Sequence, residues 1–381
     1  MLAGAAVALT LAASEVTLRL VLPSRDRYYV NLPLTDMRAV LSPRLVRGVD
    51  SAARYQVNAD GIRGRGFGPD SAEYRILAVG GSTTECLLLN YESSWPALLE
   101  QRLARTIDGR SVWVGNVGRS AMTSREHVLH LKYLLAQYPR IDAVVVLAGI
   151  NDMLSALRQG SRYTLPRPIT EMEAERSDLR RAFASLPRVE ELPLDSVAFP
   201  WYHRTALWDL ARRAKAAHLR SSRFDVAPGG WLVVARQRRA AAMTIDTMPP
   251  LETPLVEYRR NLMTMADIAT ARHVRLIFST QSFLWRSDMS SVERHDLWLG
   301  WRDTEEAFYS PRVLAQAMGA YNAVTMEVCK MRSLDCIDAA SAIPHSSAMF
   351  YDDVHFTNAG SRQMAVMAAE YFSHQPPFGA R

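Results

Sequence analysis

Four short polar stretches of this chain hold side chains that can do chemistry. Residues 76–84 read ILAVGGSTT, an apolar run that ends in Gly80-Gly81 and then Ser82. Two successive glycines suit a very tight turn. Such a turn sets the Ser82 hydroxyl and N–H at the carboxyl end of a strand, where doubly wound sheets bind ligands. The same pattern could equally cradle a phosphate. Residues 116–124 read NVGRSAMTS and residues 149–152 read GIND, each after a further apolar run, while residues 352–355 read DDVH just ahead of a helical stretch near the C-terminus. Serine, histidine and aspartate can assemble into a nucleophile with its acid–base partners. Each alone is as readily a turn, cap or surface residue.

The elements that must position these residues follow from periodicity. From Tyr74 onward, short apolar runs alternate with amphipathic stretches, the pattern of a doubly wound parallel α/β sheet. Strands are expected over residues 75–79, 112–116, 143–147, 274–279 and 334–337. Between them, Pro96 suits a first helical turn, Thr123 and Glu126 form a capping-box pair, and Thr253-Pro254 and Ser310-Pro311 each read as a cap followed by a first turn. All four crossovers are therefore helical. Upstream, Asp60-Gly61 between Val57 and Ile62 signals a hairpin in a small lead-in ribbon. Between Leu154 and Pro250 the alternation gives way to Pro-punctuated, basic and aromatic sequence, including residues 204–220, 231–234 and 236–239. Its arginines read as a solvated helix face, with a lid or an anionic-surface contact as the alternatives.

The four polar clusters, in this order at strand ends and helix starts, resemble the SGNH (GDSL-type) hydrolase family in its GGST form. The similarity spans residues 74–153 and 312–371. It implies a three-layer α/β/α fold, a flavodoxin-like five-stranded parallel sheet with a large insertion, and acyl transfer from an ester to water without metal or organic cofactor. By the resemblance Ser82 is the nucleophile, His355 the general base, and Asp352 the acid that orients it; the family's D-x-x-H spacing selects Asp352 over Asp353. The oxyanion hole would comprise the N–H of Ser82, the N–H of Ala121 and the side-chain amide of Asn151. Two positions depart from the family pattern. Gly81 stands in place of an aspartate, and Ala121 in place of a glycine, where a methyl group strains a positive φ or crowds the acyl oxygen; restoring glycine is expected to speed turnover. His127, His130 and His345 are read as surface or cap residues.

Composition limits the remaining choices. With 381 residues, 48% of them apolar, the chain can bury a full core. Its 45 basic against 39 acidic residues do not argue for a nucleic-acid partner. Three cysteines without metal-ligand spacing argue against a metal site. Cys329 and Cys336 either close a short disulfide loop, with Cys86 free, or stay reduced like it.

Residues 1–23 read as a membrane anchor or signal-like helix, with a catalytic body outside the cytoplasm; Glu15 and Arg19 weigh against a full span, and a buried helix is the alternative. The expected organisation is then a lead-in arm over 24–73, a hydrolase domain over 74–154 and 251–381, and an insertion or lid over 155–250. The expected substrate is a small-molecule or glycan ester, plausible on an O-acylated envelope carbohydrate. An O-acyltransferase using the same triad and a catalytically silent carbohydrate-binding protein are the alternatives.

Overall fold

A computed structural model describes residues 2–22, 28–68, 72–104, 106, 108–138, 140–175, 202, 205–208, 210–211, 214 and 230–378. The central sheet has five parallel strands: β1 Tyr74–Gly80, β2 Val112–Asn116, β3 Ala143–Leu147, β4 Arg275–Ser279 and β5 Asp335–Ile337. Their spatial order is 2-1-3-4-5, the flavodoxin-like order. Strands β1 to β3 are buried along their whole length, which is why they read as continuous apolar runs without alternation. Each fully buried Val or Leu here contributes about 1.5–3 kcal/mol.

Five helices close the two faces: α1 Trp95–Leu103, α2 Ser124–Gln137, α3 Glu252–Ala271, α4 Pro311–Arg332 and α5 Asn358–Ser373. Helices α1 and α5 pack together on one face, while α3 packs against both α2 and α4 on the other. Local sequence sets their starts. The Glu126 carboxylate accepts the Thr123 N–H at 2.7 Å, completing a capping box for α2. Ser310 Oγ accepts from Val313 N at 3.3 Å with Pro311 in the first turn of α4. Helix α3 begins at Glu252, so Thr253-Pro254 lies within its first turn and is not its cap.

Two upstream features differ from expectation. A two-stranded ribbon exists, but it pairs Asp36–Val40 with Ala52–Gln56, and Asp60-Gly61 lies beyond it. There Asn58 closes the turn, its Oδ1 accepting the N–H groups of Asp60 and Ile62 at 2.9 and 3.1 Å. The signal was a turn without a hairpin. The helix Leu2–Val21 is exposed, not buried, which removes the core-helix alternative. Residues Ala3–Val21 have a mean hydropathy of 1.5, long and apolar enough to cross a membrane by length and composition. Of the two charges that weigh against a span, Arg19 Nε donates to Glu15 Oε1 at 2.8 Å, and the Glu15 carboxylate also accepts the N–H groups of Ala206 at 2.9 Å and Leu207 at 3.1 Å.

Cys329 and Cys336 form a disulfide, joining the end of α4 to β5, and Cys86 is free and buried. Most of the basic stretch 204–220 lies outside the described residues. A second part of the same region forms the helix Gly230–Ala241, which packs onto the hydrolase body.

Candidate active site

The turn after β1 brings Ser82 to the carboxyl edge of the sheet, where it opens the single-turn helix Ser82–Glu85. The glycine pair before it is close-packed, most tightly at Gly80. A Cβ at Gly80 would stand 2.2 Å from Thr84 Oγ1 and 2.6 Å from Leu147 O, and one at Gly81 would stand 2.6 Å from Asn151 Nδ2. Gly81 thus gives the Asn151 amide room beside Ser82. A side chain at 81 would have to displace only the end of Asn151, since the next neighbour, Met122 O, stands 3.7 Å away.

His355 comes from the loop that leads into α5. Its Nε2 lies 2.8 Å from Ser82 Oγ, and its Nδ1 lies 2.9 and 2.8 Å from the two oxygens of Asp352. Asp352 Oδ1 also accepts the N–H groups of Val354 at 3.1 Å and His355 at 2.9 Å. The D-x-x-H spacing lets one carboxylate hold both the backbone and the ring of the histidine. Burial raises the Asp352 carboxyl, but the His355 charge and the hydrogen bonds from His355 and Trp298 outweigh it, leaving the group below the usual carboxylate range. For His355 burial acts downward, and the neighbouring Asp352 charge reverses that and holds the imidazole above its ordinary value. A hydroxyl, an imidazole and a carboxylate linked in this way can move a proton from oxygen to nitrogen.

Asp353 points elsewhere. Its Oδ1 accepts from Trp285 Nε1 at 2.7 Å, and its Oδ2 accepts the N–H groups of Trp298 at 2.7 Å and Leu299 at 3.2 Å. Burial pushes its carboxyl upward.

On the other side of Ser82, Asn151 donates one amide proton to Met122 O at 2.8 Å. Its second N–H remains for another acceptor. Ala121 has φ +67°, the left-handed conformation that glycine adopts without cost, so the methyl group does sit on a strained backbone. The loop carrying it is gripped from below by Glu85, whose Oε2 accepts the Ser120 N–H at 2.7 Å as well as the Ser120 hydroxyl, while Tyr55 donates to Oε1 at 3.1 Å. Arg119 reaches back to the arm, its Nη1 donating to Val30 O at 2.7 Å. Arg63 donates to the carbonyls of Glu85, Cys86 and Leu89, fixing the chain that follows Ser82.

Sequence reasoning missed Glu85, Arg63 and Trp298, whose partners are remote in sequence or carry no local pattern. Two arginines of the insertion, Arg236 and Arg239, also depart from the solvated face expected of them, while Arg238 is exposed as that reading has it. Arg236 is 6% exposed, and its guanidinium donates to Asp296 O at 3.0 Å, Leu45 O at 2.8 Å and Tyr351 O at 3.0 Å. Arg239 donates to Leu299 O and, at 2.7 Å, to Tyr309 O. These are anchors onto the loops around His355, not a solvated face. His127 and His130 are likewise buried inside α2, because the arm and α3 cover the helix face that would otherwise meet solvent. His345 is half-buried near Ala340 O, at 3.3 Å, as a local contact.

A small cavity of about 10 Å³ adjoins Ser82 and His355 and is lined by Thr83, Cys86, Leu89, Tyr351 and Phe356. Burial pushes the Cys86 thiol up to about 11, so it is a neutral wall of this cavity and not a second nucleophile. Among the described residues no group of three or more His, Cys, Asp or Glu side chains is arranged to hold a metal ion.

This fold and site define a serine-type hydrolase of ester bonds. Residues 78–363 match the GDSL-like Lipase/Acylhydrolase family, and the chain belongs to it. Among solved structures, similar chains include a catalytic mutant of Axe2, an acetylxylan esterase from Geobacillus stearothermophilus, with 13% identity, TM-score 0.42, and 81% of this chain and 97% of that chain covered. Another is a member of the lipolytic protein G-D-S-L family from Veillonella parvula, with 11% identity, TM-score 0.41 and coverages of 79% and 100%. A third is LAE5, an alpha/beta hydrolase enzyme from the metagenome of Lake Arreo, Spain, with 15% identity, TM-score 0.39 and coverages of 81% and 97%. No curated protein matches the chain.

Proposed function

We propose that the chain hydrolyses short acyl esters carried on a carbohydrate, through an acyl-enzyme formed on Ser82. The observation that carries this reading is the 2.8 Å contact of His355 Nε2 with Ser82 Oγ, backed by Asp352. In the first half-reaction Ser82 Oγ attacks the ester carbonyl carbon while His355 Nε2 takes its proton. The tetrahedral oxyanion is held by the N–H groups of Ser82 and Ala121 and the free amide N–H of Asn151. Collapse expels the alkoxide, which receives the proton from His355. Water, deprotonated by the same imidazole, then releases the acid and restores Ser82.

The narrow cavity beside Ser82 favours a short acyl group. Trp231, 43% exposed and set edge-to-face on Trp298 at 5.0 Å, offers a ring surface of the kind sugars stack on. The exposed helix Leu2–Val21 and the Cys329–Cys336 disulfide favour a membrane-anchored protein with its catalytic body in an oxidising, extracytoplasmic compartment. Removal of residues 1–22 is expected to move the active body from the membrane fraction to the soluble one.

A fluorophosphonate probe and an acetylated-sugar substrate test the reaction. Wild type is expected to be labelled and to release acetate, and Ser82→Ala to do neither while staying folded. Retained labelling in the variant would refute the assignment. A wild type that is never labelled would support a silent binding protein, and acetate transferred to an added sugar instead of water would support a transferase.

A further inference from the structure

We propose that Trp298 is a positioning residue of the hydrolytic site: its indole N–H holds the Asp352 carboxylate in line behind His355, and the insertion helix holds Trp298. This inference rests on the Ser82–His355–Asp352 reading.

Asp352 is fully buried, and the N–H donors from its own loop reach only Oδ1. Oδ2 is shared between the His355 ring at 2.8 Å and Trp298 Nε1, also at 2.8 Å, from a residue 54 positions away. Among the described residues Trp298 Nε1 is the hydrogen-bond donor to Asp352 from outside the 352–355 turn, so its loss leaves that turn alone to set the rotation of the carboxylate by hydrogen bonding. Trp298 is well placed for the task. Its ring lies parallel to the His355 imidazole, 6.3 Å away at 6°, and the Tyr351 ring lies near-parallel to the same imidazole at 5.6 Å and 12°.

Trp298 is in turn fixed from two directions. Its own N–H donates to Asp353, so the carboxylate next to Asp352 staples the loop that presents the indole. From the insertion, Trp231 packs against its ring, and Arg236 binds both Asp296 O and Tyr351 O, the chain segments on either side of His355. The helix Gly230–Ala241 therefore reaches the site through Trp298 without touching Ser82.

Trp298→Phe keeps a ring in place and deletes the donor. The charged or titratable groups that face His355 are Asp352, Asp353, Glu85, Tyr351 and Cys86, and Trp298→Phe replaces none of them. With one donor fewer, the Asp352 charge falls more fully on the imidazolium, so the acid limb of kcat/KM is expected to move to higher pH. Turnover is expected to fall about tenfold, as for a modest misplacement of a catalytic group, with KM within about twofold. A merely structural tryptophan would move neither the limb nor kcat selectively.

A second measurement needs no substitution. In nuclear magnetic resonance of the intact protein, one indole N–H signal is expected to titrate with the midpoint of the kcat/KM limb, reporting the ionisation of His355 across Asp352. An unmoved limb with unchanged kcat in a folded Trp298→Phe protein overturns the proposal, as does the absence of any such indole signal. Failure of the underlying reading looks different, because wild type would then not react with the fluorophosphonate at all.

Discussion

Asp352 and Asp353 are consecutive in the chain, yet each accepts the indole N–H of a different tryptophan, Trp298 for the first and Trp285 for the second. One carboxylate faces the imidazole, and the other ties the loop over residues 298–299. Asp352→Asn is expected to lower kcat by roughly 10⁴-fold, since the imidazole loses its charged partner, and to cost about 1–3 kcal/mol of stability, because the new NH2 must face either the Trp298 indole or the N–H groups of residues 354 and 355. Asp353→Ala leaves three donors unpaired, the buried Trp285 indole at about 1–3 kcal/mol and the part-buried N–H groups of Trp298 and Leu299 at less. It is expected to destabilise the protein by about 3 kcal/mol or more and to slow turnover much less. Denaturant unfolding and steady-state kinetics of the two variants separate these outcomes; the opposite ranking in kcat would make Asp353 the triad acid.

The parallel sheet was legible because its strands are buried on both faces, so that residues 112–116 and 143–147 carry an uninterrupted apolar signal with clear punctuation. The candidate site residues were legible for a related reason: Ser82 and Asn151 closely follow such strands, and the 352–355 turn leads into α5. Their support was not. Glu85 reads as an ordinary acidic residue in a short turn, and only the fold brings Ser120 and Tyr55 to it. Arg236 and Arg239 share a helix with the exposed Trp231 and Val234, and charge alone cannot tell which arginine meets solvent and which meets backbone carbonyls. Long-range polar contacts leave no period in a sequence.

Arg236 is expected to be a stability residue of the insertion. One planar guanidinium serves three carbonyls from three segments, a task its fork of donors performs and a lysine ammonium does not. Arg236→Ala is expected to cost about 3 kcal/mol in chemical unfolding, with Arg236→Lys recovering less than half of that. Full recovery by lysine would mean that the charge, through its 3.7 Å approach to Asp296, matters more than the fork.

The buried pair His127 and His130, with ring nitrogens 3.4 Å apart, makes stability depend on pH. Burial pushes the His127 imidazole down to about 3 and that of His130 well below its ordinary value. The unfolded chain takes up these protons near pH 6.5, and the folded protein does not, so the contribution of each to stability falls as pH drops below 6.5. Asp152, pushed up to about 7 mainly by burial, acts in the opposite direction, but it is common to wild type and variant. His127→Gln is therefore expected to be less stable than wild type at pH 6.5 and to recover about 2 kcal/mol relative to it by pH 5. A gap that stays constant across that range would show that His127 is protonated in the folded protein.

Ala121 was expected from sequence to limit turnover, and its φ of +67° confirms the strain but alters the expected consequence. An alanine in this conformation costs roughly 1–2 kcal/mol, in the free enzyme and in the transition state alike. A cost common to both states cancels from the barrier. Ala121→Gly is then expected to change kcat by less than about twofold, and stability by little, because relief of strain is offset by about 0.4–1 kcal/mol of added unfolded-chain entropy. On the proposed mechanism the Ala121 N–H would be aimed by the Glu85 carboxylate, which holds the preceding Ser120 N–H at 2.7 Å. Glu85→Ala is expected to lower kcat by about 10- to 100-fold with KM little changed, short of the loss caused by removing an oxyanion donor outright. If glycine at 121 instead raises kcat several-fold while Glu85→Ala leaves it intact, the donor is aimed by the backbone of residue 121 itself, and the grip of Glu85 on the loop has no part in the reaction.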